Sequence, residues 1–192
     1  GRGQQVFKMS RDGRVLLTLG TKGQSGEGSN LFDGPCDVAI GRNGDIFVAD
    51  GHRGSRVAKF SRDGKFIKTW GTKGEGPGQF NVPHAIAIDS RGRLFVADRG
   101  NRRIQIFDQD GNFLEEWKQF GRPSGILITA DDTIYVADVS DKQGVTYGST
   151  KDGIVKGMIS GTLPESIALA ADGSIYAGET TTGHILRKFI RQ

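Results

Sequence analysis

One cysteine, Cys36, occurs among 192 residues, which excludes any intrachain disulfide framework. Only 5 prolines are present, so the chain is not a proline-rich linker. No apolar run approaches the ~18 residues that span a bilayer, and no basic stretch followed by an apolar segment reads as a leader. No segment of helical length carries apolar residues at i, i+3, i+4 and i+7. Charge of one sign is also scarce. The 26 Lys and Arg stand against 22 Asp and Glu, and the two are interspersed. A net +4 spread in this way is weak footing for a nucleic-acid surface, and no membrane partner is indicated. Glycine, by contrast, is abundant: 30 residues, roughly twice ordinary usage, without the period of three of a collagen. Hydrophobic residues make up only 35%, yet 11 Phe with recurrent Ile, Val and Leu can build a core between many short strands.

The chain repeats itself, and the repeat dominates everything else. Segments opening Pro35-Cys36-Asp37-Val38, Pro83-His84-Ala85-Ile86, Pro123-Ser124-Gly125-Ile126 and Pro164-Glu165-Ser166-Ile167 are offset by 48, 40 and 41 residues. Each opens on a short apolar strand and turns at a polar or Gly-containing step. A second strand follows: Ile46 to Asp50, Leu94 to Asp98, Ile134 to Asp138 or Ile175 to Glu179. A third reads Val57 to Phe60 or Ile104 to Phe107. It closes on Asp-Gly (Asp63-Gly64, Asp110-Gly111, Asp152-Gly153), the dipeptide that suits a turn with positive φ at both central residues. A fourth ends on Trp70 or Trp117. Four short antiparallel strands every ~40 residues is the arithmetic of a β-propeller blade.

Read in this phase, residues 1–34 supply the third and fourth strands of one blade, and 35–82, 83–122 and 123–163 are whole blades. Residues 164–192 give three strands of another, for 17 strands in all. The expected fold is therefore all-β, a single propeller domain cut from about six blades and lacking its N-terminal part.

Residues that recur identically are expected to be structural. Asp50, Asp98 and Asp138 occupy one column and read as turn-forming carboxylates, with Arg56 and Arg103 in a second structural column. The glycine-rich stretches Gly20 to Gly28 and Gly71 to Gly78 lack the Gly-Lys-Ser/Thr ending of a phosphate loop and read as connections between blades. Trp70 and Trp117 read as core, and Cys36 as a small buried residue. His184 lies in a third-strand context and receives no role. Residues that vary within a repeating column are better evidence of function. The position after the blade-opening proline reads Cys36, His84, Ser124, Glu165, at the start of what would be each blade's innermost strand.

These units resemble NHL repeats, most closely at Val96-Ala97-Asp98-Arg99-Gly100-Asn101-Arg102-Arg103-Ile104-Gln105-Ile106-Phe107, led in by Trp70-Gly71-Thr72-Lys73-Gly74-Glu75-Gly76-Pro77-Gly78-Gln79-Phe80. Phe32 to Phe107 is similar to the peptidyl-α-hydroxyglycine α-amidating lyases and their bacterial relatives, through Asp50-Gly51-His52, Ser55-Arg56-Val57, Val82-Pro83-His84-Ala85-Ile86-Ala87 and Ala97-Asp98-Arg99. The resemblance implies a zinc enzyme, in a secreted or periplasmic setting, that splits a small peptide-derived substrate into a peptide amide and glyoxylate. It implies His84 and Glu165 as metal ligands from alternate blades, with a third expected upstream of Pro35, and Arg99 as the catalytic clamp on the substrate carboxylate. His52 takes the place of the family's tyrosine base. The chain departs from the family where Glu165-Ser166 replaces His-Asp. One ligand short, the 192-residue chain is expected to bind zinc poorly. The alternative is a non-catalytic scaffold presenting its loop face to a protein ligand, a glycan or RNA, since fold alone does not decide function.

Overall fold

The computed structural model describes residues 3–180 and 185–190; His184 lies outside the described residues. The strands run, in chain order, β1 (Val6–Met9), β2 (Val15–Leu19), β3 (Pro35–Ile40), β4 (Ile46–Asp50), β5 (Arg56–Phe60), β6 (Phe66–Trp70), β7 (Thr72–Lys73), β8 (Gln79–Phe80), β9 (Pro83–Ile88), β10 (Leu94–Asp98), β11 (Arg103–Phe107), β12 (Phe113–Trp117), β13 (Gly125–Ile128), β14 (Thr133–Asp138), β15 (Gly144–Ser149), β16 (Val155–Ser160), β17 (Pro164–Leu169), β18 (Ile175–Glu179) and β19 (Leu186–Phe189). A single 3-10 turn, Arg99–Asn101, is the only helical element among the described residues. Three antiparallel sheets have four strands each in sequential order: β3–β6, β9–β12 and β13–β16. β1–β2 form a pair and β17–β19 a sheet of three, while β7 and β8 are a short parallel pair inside the Gly71 to Gly78 connection. The chain is thus an all-β propeller of four-stranded antiparallel blades. The first strands β3, β9, β13 and β17 lie side by side from blade to blade.

The second strands β4 and β10 read as near-continuous apolar runs, and with the third strands β5 and β11 they are buried along their whole length, because each is covered on both faces. In β4, Phe47 and Ala49 pack against the blade beginning at Pro83, with Phe80, Ile86, Leu94, Val96 and Phe107. Ile46 and Val48 face the other way, towards Leu19, Phe32 and Phe60. β10 divides likewise: Leu94 and Val96 look back, and Phe95 looks forward to Trp117, Phe120, Ile134 and Val136. The period of two along each strand becomes an alternation between neighbouring blades, not between core and water. The fourth strands β6 and β12 are mostly exposed. Phe32, Phe80 and Phe120, one before each blade, are buried plugs between blades.

The Asp-Gly hairpins depart from the expected turn. Gly64 and Gly111 have φ of +84° and +81°, but Asp63 and Asp110 are not at positive φ. The Ser61 amide donates to the Lys65 carbonyl at 2.8 Å and the Gly64 amide to the Ser61 carbonyl at 2.9 Å. The register slips between Lys59 and Phe60. This is a three-residue loop with a bulge, in which only the glycine takes the left-handed conformation and the aspartate stays right-handed.

The carboxylate column is a latch. Asp98 Oδ1 accepts the Asn81 amide at 2.7 Å, and Oδ2 accepts Arg103 Nε at 2.8 Å and Asn101 Nδ2 at 2.8 Å. Arg103 Nη2 then donates to the carbonyls of Gly76 and Gln79, both at 2.9 Å. One blade earlier, Asp50 takes the Asp33 amide at 2.8 Å and Arg56 Nε at 3.0 Å, while Arg56 reaches the carbonyls of Glu27 and Leu31. Both ion pairs are almost wholly buried.

Two consequences are measurable in denaturant. Arg103→Ala leaves the Asp98 carboxylate buried without its cation and should destabilise the fold by about 3–5 kcal/mol. The exposed pair Arg14–Asp12 is the control: Arg14→Ala should leave the midpoint unmoved. At Gly71, φ is +103° and a Cβ would lie 2.6 Å from the Phe80 ring, whereas at Gly78 (φ +74°) it would meet nothing within 4 Å. Gly71→Ala should therefore lower the midpoint clearly more than Gly78→Ala, which carries only the left-handed cost of about 1–2 kcal/mol.

Candidate functional site

The register of the blades puts the varying columns on one rim. Asp98 pairs with Pro83, Asp50 with Pro35 and Glu179 with Pro164, so second strands finish where first strands begin. Cys36, His84 and Glu165 lie on β3, β9 and β17, and His52 and Arg99 follow the ends of β4 and β10 at the same rim.

Local backbone chemistry then tightens the group. The Gly34 carbonyl accepts the Gly51 amide at 3.1 Å, the His52 amide at 3.0 Å and the Cys36 thiol at 3.3 Å, so one oxygen ties His52 and Cys36 together. Gly51 has no room for a side chain: a Cβ would sit 1.8 Å from the Pro83 carbonyl oxygen. This close approach lays the Gly51-His52 step against Pro83-His84. The His52 and His84 rings meet edge to face, with centroids 5.2 Å apart. Cys36, His52 and His84 each offer one ligand atom, and the three atoms lie within 4.8 Å of one another. The Asp37 carboxylate braces this junction by accepting the Ile86 amide at 3.0 Å across the blade boundary.

His84 Nδ1 is 2.7 Å from the Ser124 carbonyl. A carbonyl only accepts, so Nδ1 carries the hydrogen and Nε2 keeps its lone pair for a proton or a metal. Burial pushes both His52 and His84 below the ordinary imidazole value, with the Arg99 charge acting in the same direction. For both rings this favours the neutral form. Burial raises the Cys36 thiol, opposed by the amides of Gly51 and His52.

Arg99 and Glu165 pair across the rim, Nη1 to Oε2 at 3.4 Å, each roughly one-fifth exposed. The two arginines of this blade differ sharply. Arg103 is saturated by two carboxylates and two carbonyls, whereas among the described residues the Arg99 guanidinium meets only this long contact, which leaves donors of its fork for an incoming anion.

The rim therefore brings together all four sequence-predicted residues, but in two groups: His52 with His84, and Arg99 with Glu165. The sequence reading of Cys36 as a small buried residue is corrected. It is partly exposed, its thiol donates to the Gly34 carbonyl, and its Sγ lies within 4.8 Å of a ligand nitrogen of each histidine. Its membership in the same varying column as His84 was the available signal, and the Gly34 carbonyl that orients it left none. A groove of about 410 Å³ between β1 and the β3–β4 hairpin is lined by Val6, Phe7, Leu19, Val38, Ile40 and others, and none of the rim groups lines it. A smaller cleft of about 280 Å³ borders Cys36.

Comparison with known proteins agrees with this architecture. Residues 28–120 match a family model described as a 6-bladed β-propeller, and 159–188 match the N-terminal model of strictosidine synthase-like proteins. The chain is 36% identical to peptidyl-glycine alpha-amidating monooxygenase B of Xenopus laevis over 91% of its own length and 22% of that protein's. It is 40% identical to human NHL repeat-containing protein 3 over 67% of this chain and 40% of the relative. With peptidyl-alpha-hydroxyglycine alpha-amidating lyase 1 of Drosophila melanogaster the identity is 46% over 34% of this chain and 13% of that protein. The chain spans about a fifth of the length of the amidating monooxygenases it matches. It is a β-propeller whose homologues are the peptidylglycine α-amidating monooxygenases, the peptidyl-α-hydroxyglycine α-amidating lyases and NHL repeat-containing protein 3.

Proposed function

We propose that the full-length protein bearing this chain is a lyase that breaks the C–N bond of a peptidyl-α-hydroxyglycine, giving a peptide amide and glyoxylate. The observation that carries this reading is the under-engaged guanidinium of Arg99, set on one rim with a neutral imidazole whose Nε2 is free. The substrate offers a carboxylate and a hydroxyl on the same carbon. Arg99 takes the carboxylate through its fork of donors, and Glu165 aims that fork from the side. In the step itself the hydroxyl loses its proton, its oxygen electrons close the carbonyl of glyoxylate, and the C–N pair leaves with nitrogen, which takes up a proton. No oxidant is needed.

The resemblance implies zinc, and the donor chemistry here fits it: nitrogen at His84, held in the required tautomer by the Ser124 carbonyl. Zinc bound there supplies Lewis acidity towards the substrate hydroxyl. Holding the substrate at this rim, between the guanidinium and the imidazoles, is the work of the protein's own residues.

The assay is glyoxylate release from an α-hydroxyglycine peptide by the full-length protein in the presence of zinc. Arg99→Ala should lower kcat/KM by about 10- to 100-fold, chiefly through KM, because a charge-assisted contact to the substrate is lost. Arg99→Lys should recover only part of it. A zinc-loaded, folded protein that releases no glyoxylate would overturn the lyase reading and leave the rim as a binding surface.

A further inference from the structure

We propose that Cys36, His52 and His84 together form a three-donor zinc site with its fourth position open, in place of a set built from His84 and Glu165. The three ligand atoms already lie within 4.8 Å of one another. Tetrahedral zinc, with bonds of roughly 2.0 Å to nitrogen and 2.3 Å to sulfur, holds two nitrogens and one sulfur roughly 3.3–3.5 Å apart. Closing the group needs about an ångström of side-chain movement. The backbone needs none, because the Gly34 carbonyl fixes the Cys36 and His52 segments and Gly51 fits against Pro83.

The donor types select the metal. One sulfur and two imidazole nitrogens are the ligands of zinc, and magnesium and calcium prefer oxygen. Glu165 is not in this group, since its carboxylate faces the Arg99 guanidinium. Moving it onto a metal would leave that cation without its partner. The cleft beside Cys36, bordered also by Gln5, Val6 and Asp37, gives an ion a path to the thiol. The assignment stands apart from the lyase reading and alters it at one point: His52 becomes a ligand and not the base that the resemblance implies. It also supplies the donors that the sequence reading found lacking, so zinc should bind through residues of this chain alone.

The test is cobalt(II) substitution in the full-length protein without substrate, with zinc as competitor. One equivalent of cobalt should produce the intense visible bands of a four-coordinate ion and a near-ultraviolet sulfur-to-cobalt charge-transfer band. Cys36→Ser should abolish the charge-transfer band and weaken zinc at least about 100-fold, and His52→Ala should weaken it similarly, more than an outer partner would. Glu165→Gln should change affinity by less than about twofold. The opposite pattern, Glu165→Gln losing metal while Cys36→Ser keeps it, would overturn the proposal, as would an absent charge-transfer band. Should Cys36→Ser fail to fold, alkylation of the wild-type thiol decides the matter. Zinc should slow modification of Cys36, and an unchanged rate would refute its ligation. Glyoxylate release is scored separately, so zinc bound by this trio without turnover would retain the site and remove only the lyase reading.

Discussion

The buried ion pairs Asp50–Arg56 and Asp98–Arg103, each between a second-strand carboxylate and a third-strand guanidinium, are the contacts on which the rest of the arrangement depends. Asp98 and Arg103 are both nearly inaccessible, and burial by itself drives the Asp98 carboxyl upward, away from ionisation. Opposing that shift is the set of donors around it: an amide, an asparagine, a glutamine and the guanidinium. An ion pair out of water is costly unless its remaining lone pairs and protons are satisfied, and here they are. The same guanidinium gathers carbonyls of the glycine-rich connection, so the latch fixes where the chain enters each blade. Where the repeat offers no arginine, at Asp138, four backbone amides from residues 122 and 140–142 take over the satisfaction of the carboxylate.

That latch sits immediately before the rim. Asp50 is followed by Gly51-His52, and Asp98 by Arg99, so a rigid carboxylate anchors His52 and Arg99 from one or two residues away. Preorganisation of this kind matters for chemistry, because a clamp that must be ordered on binding loses affinity to that ordering. The contrast between Arg103 and Arg99 illustrates the division of labour. Four residues apart, one is consumed by the fold and the other is left with donors to offer.

Between the latches, stability comes from apolar contact across blade boundaries. Because β4, β10 and β14 are covered on both sides, no blade has a core of its own; the clusters containing Phe80 and Phe95 each span two blades. The plug phenylalanines fill the space at the entry of each blade, and the absence of a side chain at Gly71 is what lets Phe80 seat there. The rim is thus assembled from neighbours that cannot shift independently, which is how Cys36 and His52 of one blade come to face His84 of the next.

The amino-acid sequence by itself determined the repeat and its antiparallel strands, since strand alternation and turn chemistry are local and repeat with the period; the short parallel pair β7–β8 it did not foresee. It also separated structural from variable columns: identical Asp50, Asp98 and Asp138 proved to be latch residues, and the variable positions all came to lie at one rim. The hairpin conformation at Asp63-Gly64 was misread, because the dipeptide is compatible with two turns and cross-strand register chooses between them. The grouping within the rim was decided only by tertiary structure. Glu165 stands beside Arg99 through an ion pair, and Cys36 comes close to two imidazoles through one shared carbonyl at Gly34 and the close approach of Gly51 to Pro83. The Gly34–His52 and Gly51–Pro83 contacts join residues 18 and 32 positions apart, and no local periodicity encodes them.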